Sequence, residues 1–304
     1  MRAIMAKGTV PSTTDGNIRS AHGIYWPIML HALGFPDEQM PKFLVHGWWN
    51  ISGAKMSKSL GNVIDPDQLA DKYGAEALRY YLMSDIVTGK DSDFSEERIV
   101  TRYNTDLANV FGNLLNRTLN MVGRYREGIV TIRNLDELYS SLEKVVPGTA
   151  PTIIVLATKL ALGRAALENY CELLVRQGKT LLDEGSISEL MLFLFASISD
   201  FNRRIEEEAP WRLAKNAERS SDLDAVLYHL AESLRIIAIL ISPVLPKAAH
   251  GIFEQLNWKM EPELSGKETR LSLADAAWGK LPDGHVVGKP TPLFPRIEVS
   301  APPK

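Results

Sequence analysis

Between Ser95 and Leu256 almost every apolar residue falls at helical spacing, and that run limits what this chain can fold into more than any other feature. Leu107, Val110, Phe111, Leu114, Leu115 and Leu119 recur at three- and four-residue intervals, as do Leu227, Leu230, Leu234, Ile237 and Ile241. That repeat keeps one face of a helix against a core. The spacing predicts helices over Ser95–Arg126, Thr149–Val175, Ile187–Glu208 and Ser221–Ile241, with a small one over Asp136–Lys144. Ser186-Ile-Ser-Glu189 and Ser221-Asp-Leu-Asp224 read as capping boxes, and Pro210, Pro243 and Pro246 as breaks. The glycine-broken stretch Arg176–Ser186 reads as an inserted loop, and Gly279–Lys304, with six prolines, as an extended tail.

The first 95 residues follow other rules. Asn17–Gly34 reads as a helix that Pro27 kinks, and Phe43-Leu44-Val45 as a short buried strand. Ile51–Asn62 is expected to be a loop with glycines near both ends. Asp65 and Pro66 then form a good N-cap and first position for a helix that Gly74 can close, and Ala75–Ser84 forms another. The expected organisation is an α/β portion over 1–95 and an all-α bundle with its tail over 96–304.

Composition narrows the function classes. Of 304 residues 45% are hydrophobic and 23% charged, which supports a packed core rather than global disorder. The longest apolar run, Leu190–Ala196, is far below the ~18 residues of a membrane span. One cysteine, Cys171, excludes a disulfide framework and any multi-cysteine zinc site, and the histidines show no paired spacing. We therefore expect no metal site, no membrane partner and a cytoplasmic location. The net charge of −3 gives no general affinity for nucleic acid, but Arg102, Arg117, Arg124 and Arg126 face only Asp106 within their segment.

Two places carry chemistry. The first is the loop Lys55-Met56-Ser57-Lys58-Ser59, framed by Gly53 and Gly61. Two ammonium groups and two hydroxyls suit a polyphosphate whose charge moves during nucleotidyl transfer, while a lysine-serine loop taken by itself also reads as a solvated turn. The second is the pair Asn113 and Arg117, one turn apart on one helix face, with Trp211 after the break at Pro210. An amide, a guanidinium and an indole can bond and stack unstacked bases. Packing alone also accounts for Trp26 and Trp211 as core and Asn113 as a bundle hydrogen bond. Glu206-Glu207-Glu208 reads as a solvated face and Cys171 as packing.

The residues Val45-His-Gly-Trp-Trp49 and Lys55-Met-Ser-Lys-Ser-Leu-Gly-Asn-Val-Ile-Asp-Pro66 resemble the second signature of class I aminoacyl-tRNA synthetases, in its methionyl form. The resemblance continues through Tyr73–Leu82, Asp93–Ser95, Arg102–Asn109, Gly112–Arg117, Ala209–Trp211 and Gly288–Ile297. It implies the second half of a class I Rossmann-type catalytic domain followed by an anticodon-binding bundle. It also implies an ATP-dependent methionine–tRNA ligase using ATP with Mg2+, methionine and methionine tRNA. Lys55 and Lys58 would be catalytic, offsetting charge on the leaving pyrophosphate, and 55–59 would bind ATP. His22 and Trp26, in His22-Gly-Ile-Tyr-Trp-Pro27, would line the methionine pocket, although Gly16, Asn17, Ser20 and Ala21 replace the family's Lys, Asp, Arg and Phe. Asn113, Arg117 and Trp211 would read the anticodon, with Arg102, Arg124 and Arg126 on phosphates.

The family's first signature, His-x-Gly-His, does not occur in these 304 residues. The chain accordingly reads as a carboxy-terminal portion or truncated homologue, inactive by itself, that a separate amino-terminal synthetase chain would complete. A non-catalytic tRNA-binding protein using only the bundle, and a helical scaffold without RNA contact, are the other readings.

Overall fold

The computed structural model describes residues 23–40, 47–56, 60–132, 151–259 and 272–298, with the side chains of 151–167 outside that description. The expected Phe43–Val45 strand and Asp136–Lys144 helix lie outside the described residues. The chain divides into two units: 1–102 with 179–192, and 103–178 with 193–304.

The first unit holds α1 (Trp26–Ala32), a three-stranded sheet and three short helices. The described part of the expected Asn17–Gly34 helix is a π-helical Gly23–Tyr25 leading into α1, with Pro27 in the first turn of α1; residues 17–22 lie outside the described residues. The sheet has the order β2-β1-β3, from β1 (Trp49–Ile51), β2 (Ala54–Lys55) and β3 (Ser92–Asp93). β1 pairs antiparallel with β2, Asn50 opposite Lys55, and parallel with β3. The β1–β2 hairpin falls where the sequence reads as a plain loop. Its turn is Ser52-Gly53, at φ 52° and 77°, the double positive φ of a tight hairpin turn that only a residue like glycine adopts at no cost.

Helix α2 (Pro66–Tyr73) starts as expected: the Asp65 carboxylate accepts the Asp67 N–H at 2.9 Å. Gly74 at φ 87° ends α2 and begins α3 (Ala75–Ser84). Leu69, Leu78, Tyr81 and Ile99 form a small core, with Trp49 and Phe94 packed against it. Ile99 comes from α4 (Glu96–Arg102), tied to α2 where Lys72 and the Tyr73 hydroxyl each donate to Glu96 at 2.6 Å. Those donors hold the Glu96 carboxyl below its ordinary value.

The second unit opens with a wide π-helical stretch, Tyr103–Phe111, and continues as α5 (Gly112–Arg126). Along the chain α6 (Pro151–Glu184) and α7 (Ile187–Glu208) follow, of which 179–192 belong to the first unit, and then the single turn α8 (Pro210–Leu213), α9 (Ser220–Ile241) and α10 (Pro246–Gln255) of the second. The inserted loop expected at Arg176–Ser186 is absent. α6 runs through Gly178 to Glu184, and Gly185, at φ 74°, closes it with bonds from Gly185 and Ser186 back to Leu182 and Leu181. Each interior glycine, Gly163 and Gly178, costs the helix only ~1 kcal/mol, which 34 residues absorb. The capping box expected at Ser221–Asp224 is also absent: α9 starts one residue earlier without a side-chain cap.

α9 is buried on nearly every side, including Leu227, Leu230, Leu234, Ile237 and Ile241, as a central helix must be. The tail wraps the helices of this unit. His285–Val286 (β5) pairs with Ile129–Val130 (β4), and Phe294 packs on Phe111 and Tyr103. Arg296 donates to Asn109 at 2.6 Å.

Cys171 is fully buried, 3.6 Å from the Ser233 hydroxyl, and burial pushes its thiol up to about 12. Since the thiolate is the nucleophile, iodoacetamide at pH 8 should label Cys171 only as fast as the bundle unfolds. Labelling that runs ahead of unfolding would place this thiol in contact with solvent.

Candidate functional site

The signature loop leaves the sheet through the β1–β2 hairpin. Gly47 lies so close to the next segment that a Cβ there would come within 2.0 Å of the Lys90 carbonyl oxygen. The Trp48 N–H donates to Asp91 at 2.7 Å, and the Trp48 carbonyl accepts the Ser92 N–H at 3.0 Å. The Gly53 N–H donates to Asp93 at 3.1 Å. These bonds clamp both ends of the hairpin to 91–93. Lys55 is exposed, with its ammonium 3.7 Å from the centre of the Trp48 ring, and the Asn62 amide donates to the Lys55 carbonyl at 3.3 Å. Met56 is half-buried beside it. Ser57, Lys58 and Ser59 lie outside the described residues, as does His22.

Trp26 is 51% exposed on α1, a helix with no buried residue. The core reading of Trp26 is therefore incorrect for the described residues.

The second site is built on two helices of one unit. Asn113 and Arg117 stand one turn apart on α5, and each meets a side chain of α7 that is also one turn from the next. Asn113 donates to Asn202 at 3.4 Å, and Arg117 donates to Glu206 at 2.6 Å. Asn202 is held in turn by the Val110 carbonyl at 2.9 Å. Asn113 is exposed, and the Arg117 side chain keeps 26% of its surface open. The sequence alone does not mark Asn202 and places Glu206 only on a solvated face; the Glu206 side chain is 61% exposed but also accepts from Arg117, and the four-residue spacing of Asn202 and Glu206 mirrors that of Asn113 and Arg117.

α7 ends two residues past Glu206. Ala209 then takes a left-handed conformation, φ 45° and ψ 64°, which costs a non-glycine residue roughly 1–2 kcal/mol. That turn redirects the chain into Pro210 and the half-buried Trp211. The indole and the Arg117 guanidinium thus belong to the same end of α7. Beside Asn113 a cleft of about 410 Å³ opens between Asn109, Gly112 and Asn116 on one wall and Thr291–Phe294 of the tail on the other.

The three arginines expected on phosphates are not alike. Arg126 donates to Asp224, to Ser220 and to the Tyr125 carbonyl. The buried Asp224 needs a counter-charge, so Arg126 is a structural cation and not an open phosphate contact. Arg102 lies 3.3 Å from the buried Asp85 carboxylate, which also holds Arg98 at 2.6 Å. Arg124 is exposed, over the Tyr125 ring.

Among the described residues no group of three or more His, Cys, Asp or Glu is placed to hold a metal ion. No helix among them is long and apolar enough to cross a membrane.

Residues 14–119 match the family model for class I tRNA synthetases (M). The chain is 40% identical over 280 residues to the methionine–tRNA ligase of Enterococcus faecalis, an alignment covering 91% of this chain and 37% of that protein. It is also 40% identical over 286 residues to the methionine–tRNA ligase of Lactiplantibacillus plantarum, covering 92% and 37%. Among solved structures, Mycobacterium tuberculosis methionyl-tRNA synthetase in complex with methionyl-adenylate superposes with a TM-score of 0.71 at 30% identity, covering 92% of this chain and 48% of that one. The chain thus spans a little over a third of the length of the curated relatives it matches.

Proposed function

We infer, for a chain that belongs to the class I methionyl-tRNA synthetase family and corresponds to about 37% of its relatives' length, a share in the ATP-dependent joining of methionine to its tRNA. In this reading residues 1–95 are catalytic and residues 96–304 read RNA. Lys55 and Lys58 offset the charge that develops on pyrophosphate as the methionine carboxylate attacks the α-phosphate of Mg-ATP. Ser57 and Ser59 bond the phosphates, with Met56 in the same loop. His22 and Trp26 face methionine. Such a step needs positioned charge and no protein base.

The observation that carries the RNA half is the pair on α5, the exposed Asn113 lining the cleft and the partly exposed Arg117 one turn on, with Trp211 at the adjoining end of α7. Arg117 offers two parallel donors to a base edge, Asn113 donates and accepts, and Trp211 supplies a stacking face. The Arg117–Glu206 pair is partly exposed, with Glu206 61% open, so giving it up for a base costs about 1 kcal/mol or less. Arg124 adds a phosphate contact without sequence preference.

Binding of a CAU anticodon stem-loop tests this. Trp211→Ala should weaken it by roughly 10-fold or more, from the ~1–3 kcal/mol that a stacked base contributes, with circular dichroism unchanged. Arg117→Ala should narrow the gap between CAU and an altered anticodon. A chain that binds CAU no better than a scrambled loop overturns the anticodon reading and leaves the scaffold.

The rest of a class I catalytic domain, joined to this sequence or carried on a companion polypeptide, is part of this proposal. Among the described residues, twelve of the fifteen exposed large apolar side chains lie in the smaller unit, and α1 with its flanks contributes Ile24, Tyr25, Trp26, Ile28, Met29, Leu33 and Phe35. An exposed apolar stretch of this kind is where the rest of the catalytic domain would pack.

A further inference from the structure

Lys55 does not stand alone at the end of its hairpin. The β1–β2 register sets Asn50 opposite Lys55. Trp48 lies two residues before Asn50 and therefore on the same face of the sheet, diagonal to Lys55. A diagonal pair is within reach when one side chain is long and the other aromatic, and here the Lys55 ammonium reaches 3.7 Å from the Trp48 ring centre. The ring has a fixed base. Its backbone N–H and carbonyl are bonded to Asp91 and Ser92, and Gly47 before it leaves no room for a side chain against Lys90. The ammonium has a flexible four-carbon stem. One partner is anchored and the other can leave.

We propose that Trp48 is a positioning residue for Lys55: its indole face holds the ammonium at the hairpin until a pyrophosphate-type anion draws it off. The inference rests on the reading of Lys55 as a phosphate contact and adds to it the residue that governs where the lysine waits. A cation–π contact at an exposed site favours the held position by about two- to five-fold, a bias that a multiply charged anion overcomes. The contact therefore orders Lys55 near its point of use without locking it, and it taxes anion affinity by the fraction of molecules in which the lysine is held.

The test uses the whole chain with magnesium pyrophosphate as probe and 13C-labelled lysine as reporter. The Lys55 ε-methylene, assigned by its loss in Lys55→Arg, should resonate upfield of the other lysines because it is bonded to the ammonium held over the ring. Titration with magnesium pyrophosphate should return it to the ordinary position, and Trp48→Leu should place it there without ligand. Calorimetry should find pyrophosphate bound about three- to six-fold more tightly by Trp48→Leu. Trp48→Phe, which keeps a weaker aromatic face, should fall between the two and guards against misfolding of the leucine variant. If pyrophosphate shifts neighbouring loop resonances while the Lys55 ε-methylene stays upfield, Trp48 does not release the lysine, and the inference falls while the phosphate reading stands. Unchanged affinity in both variants also overturns it. If pyrophosphate shifts nothing, the phosphate reading fails and takes the inference with it.

Discussion

Glu232→Leu is expected to lower the stability of the helical unit by about 3–5 kcal/mol, the cost of leaving one member of a buried ion pair uncompensated. Both side chains of the Glu232–Arg235 pair are 0% exposed. Arg235 donates to the two Glu232 oxygens at 2.8 and 2.6 Å, and its remaining donors reach the carbonyls of Asp275 and Ala277. Glu232 also accepts the N–H groups of Lys280 at 2.9 Å and Leu281 at 3.3 Å. The pair thus bonds the backbone of 275–281 from inside α9. Urea unfolding followed at 222 nm measures the loss. Glu232→Gln, which keeps the shape and one acceptor, should be milder, and amide exchange at Lys280 and Leu281 should quicken in it. The double change Glu232→Leu with Arg235→Leu should cost less than the two single changes summed, because no lone charge remains. A single-variant loss under ~1 kcal/mol would mean that water already reaches the pair.

In an assembly that activates methionine, Lys55→Ala should lower the rate of activation by ~10²–10³-fold, the usual cost of removing one donor aimed at developing charge. The exposed position of Lys55, at the end of a hairpin whose turn is bonded to Asp93, makes an electrostatic effect the one to expect. Methionine-dependent pyrophosphate exchange reads the rate, and its dependence on methionine reads the ground state. An interaction made mainly in the transition state lowers kcat with little change in KM for methionine. Equal loss in both would make Lys55 a residue that only folds its loop. Lys58→Ala should behave in the same way.

Much of the local structure was legible. Asp65, Pro66 and Gly74 announced the bounds of α2, because capping is satisfied within a few residues. The helical repeat of 107–119 was legible because a core imposes it residue by residue. The same reasoning failed at Arg176–Ser186, where a glycine weighed too heavily against a helix of 34 residues. It failed again at Ser52-Gly53, where the hairpin depends on pairing with 91–93 and on a turn only two residues long.

For the candidate site, residue types and spacing marked Lys55, Asn113, Arg117 and Trp211 as candidates, and the resemblance to the synthetase family, not the spacing, chose the functional reading over packing. Amide, guanidinium, indole and ammonium groups have their chemistry wherever they fall, and a four-residue interval shares a face in any helix. Packing alone separated the arginines. Arg126 and Arg124 are two residues apart on the same helix, yet one neutralises the buried Asp224 and the other faces solvent. Packing alone also set Glu206 against Arg117, Trp48 against Lys55 and Glu232 against the backbone of the tail. Those partners are separated by 89, 7 and 48 residues. Capping, periodicity and turn chemistry act over a few neighbours along the chain. The partner of a charge is chosen by which side chains the tertiary fold brings within hydrogen-bond reach, and only the folded chain contains that information.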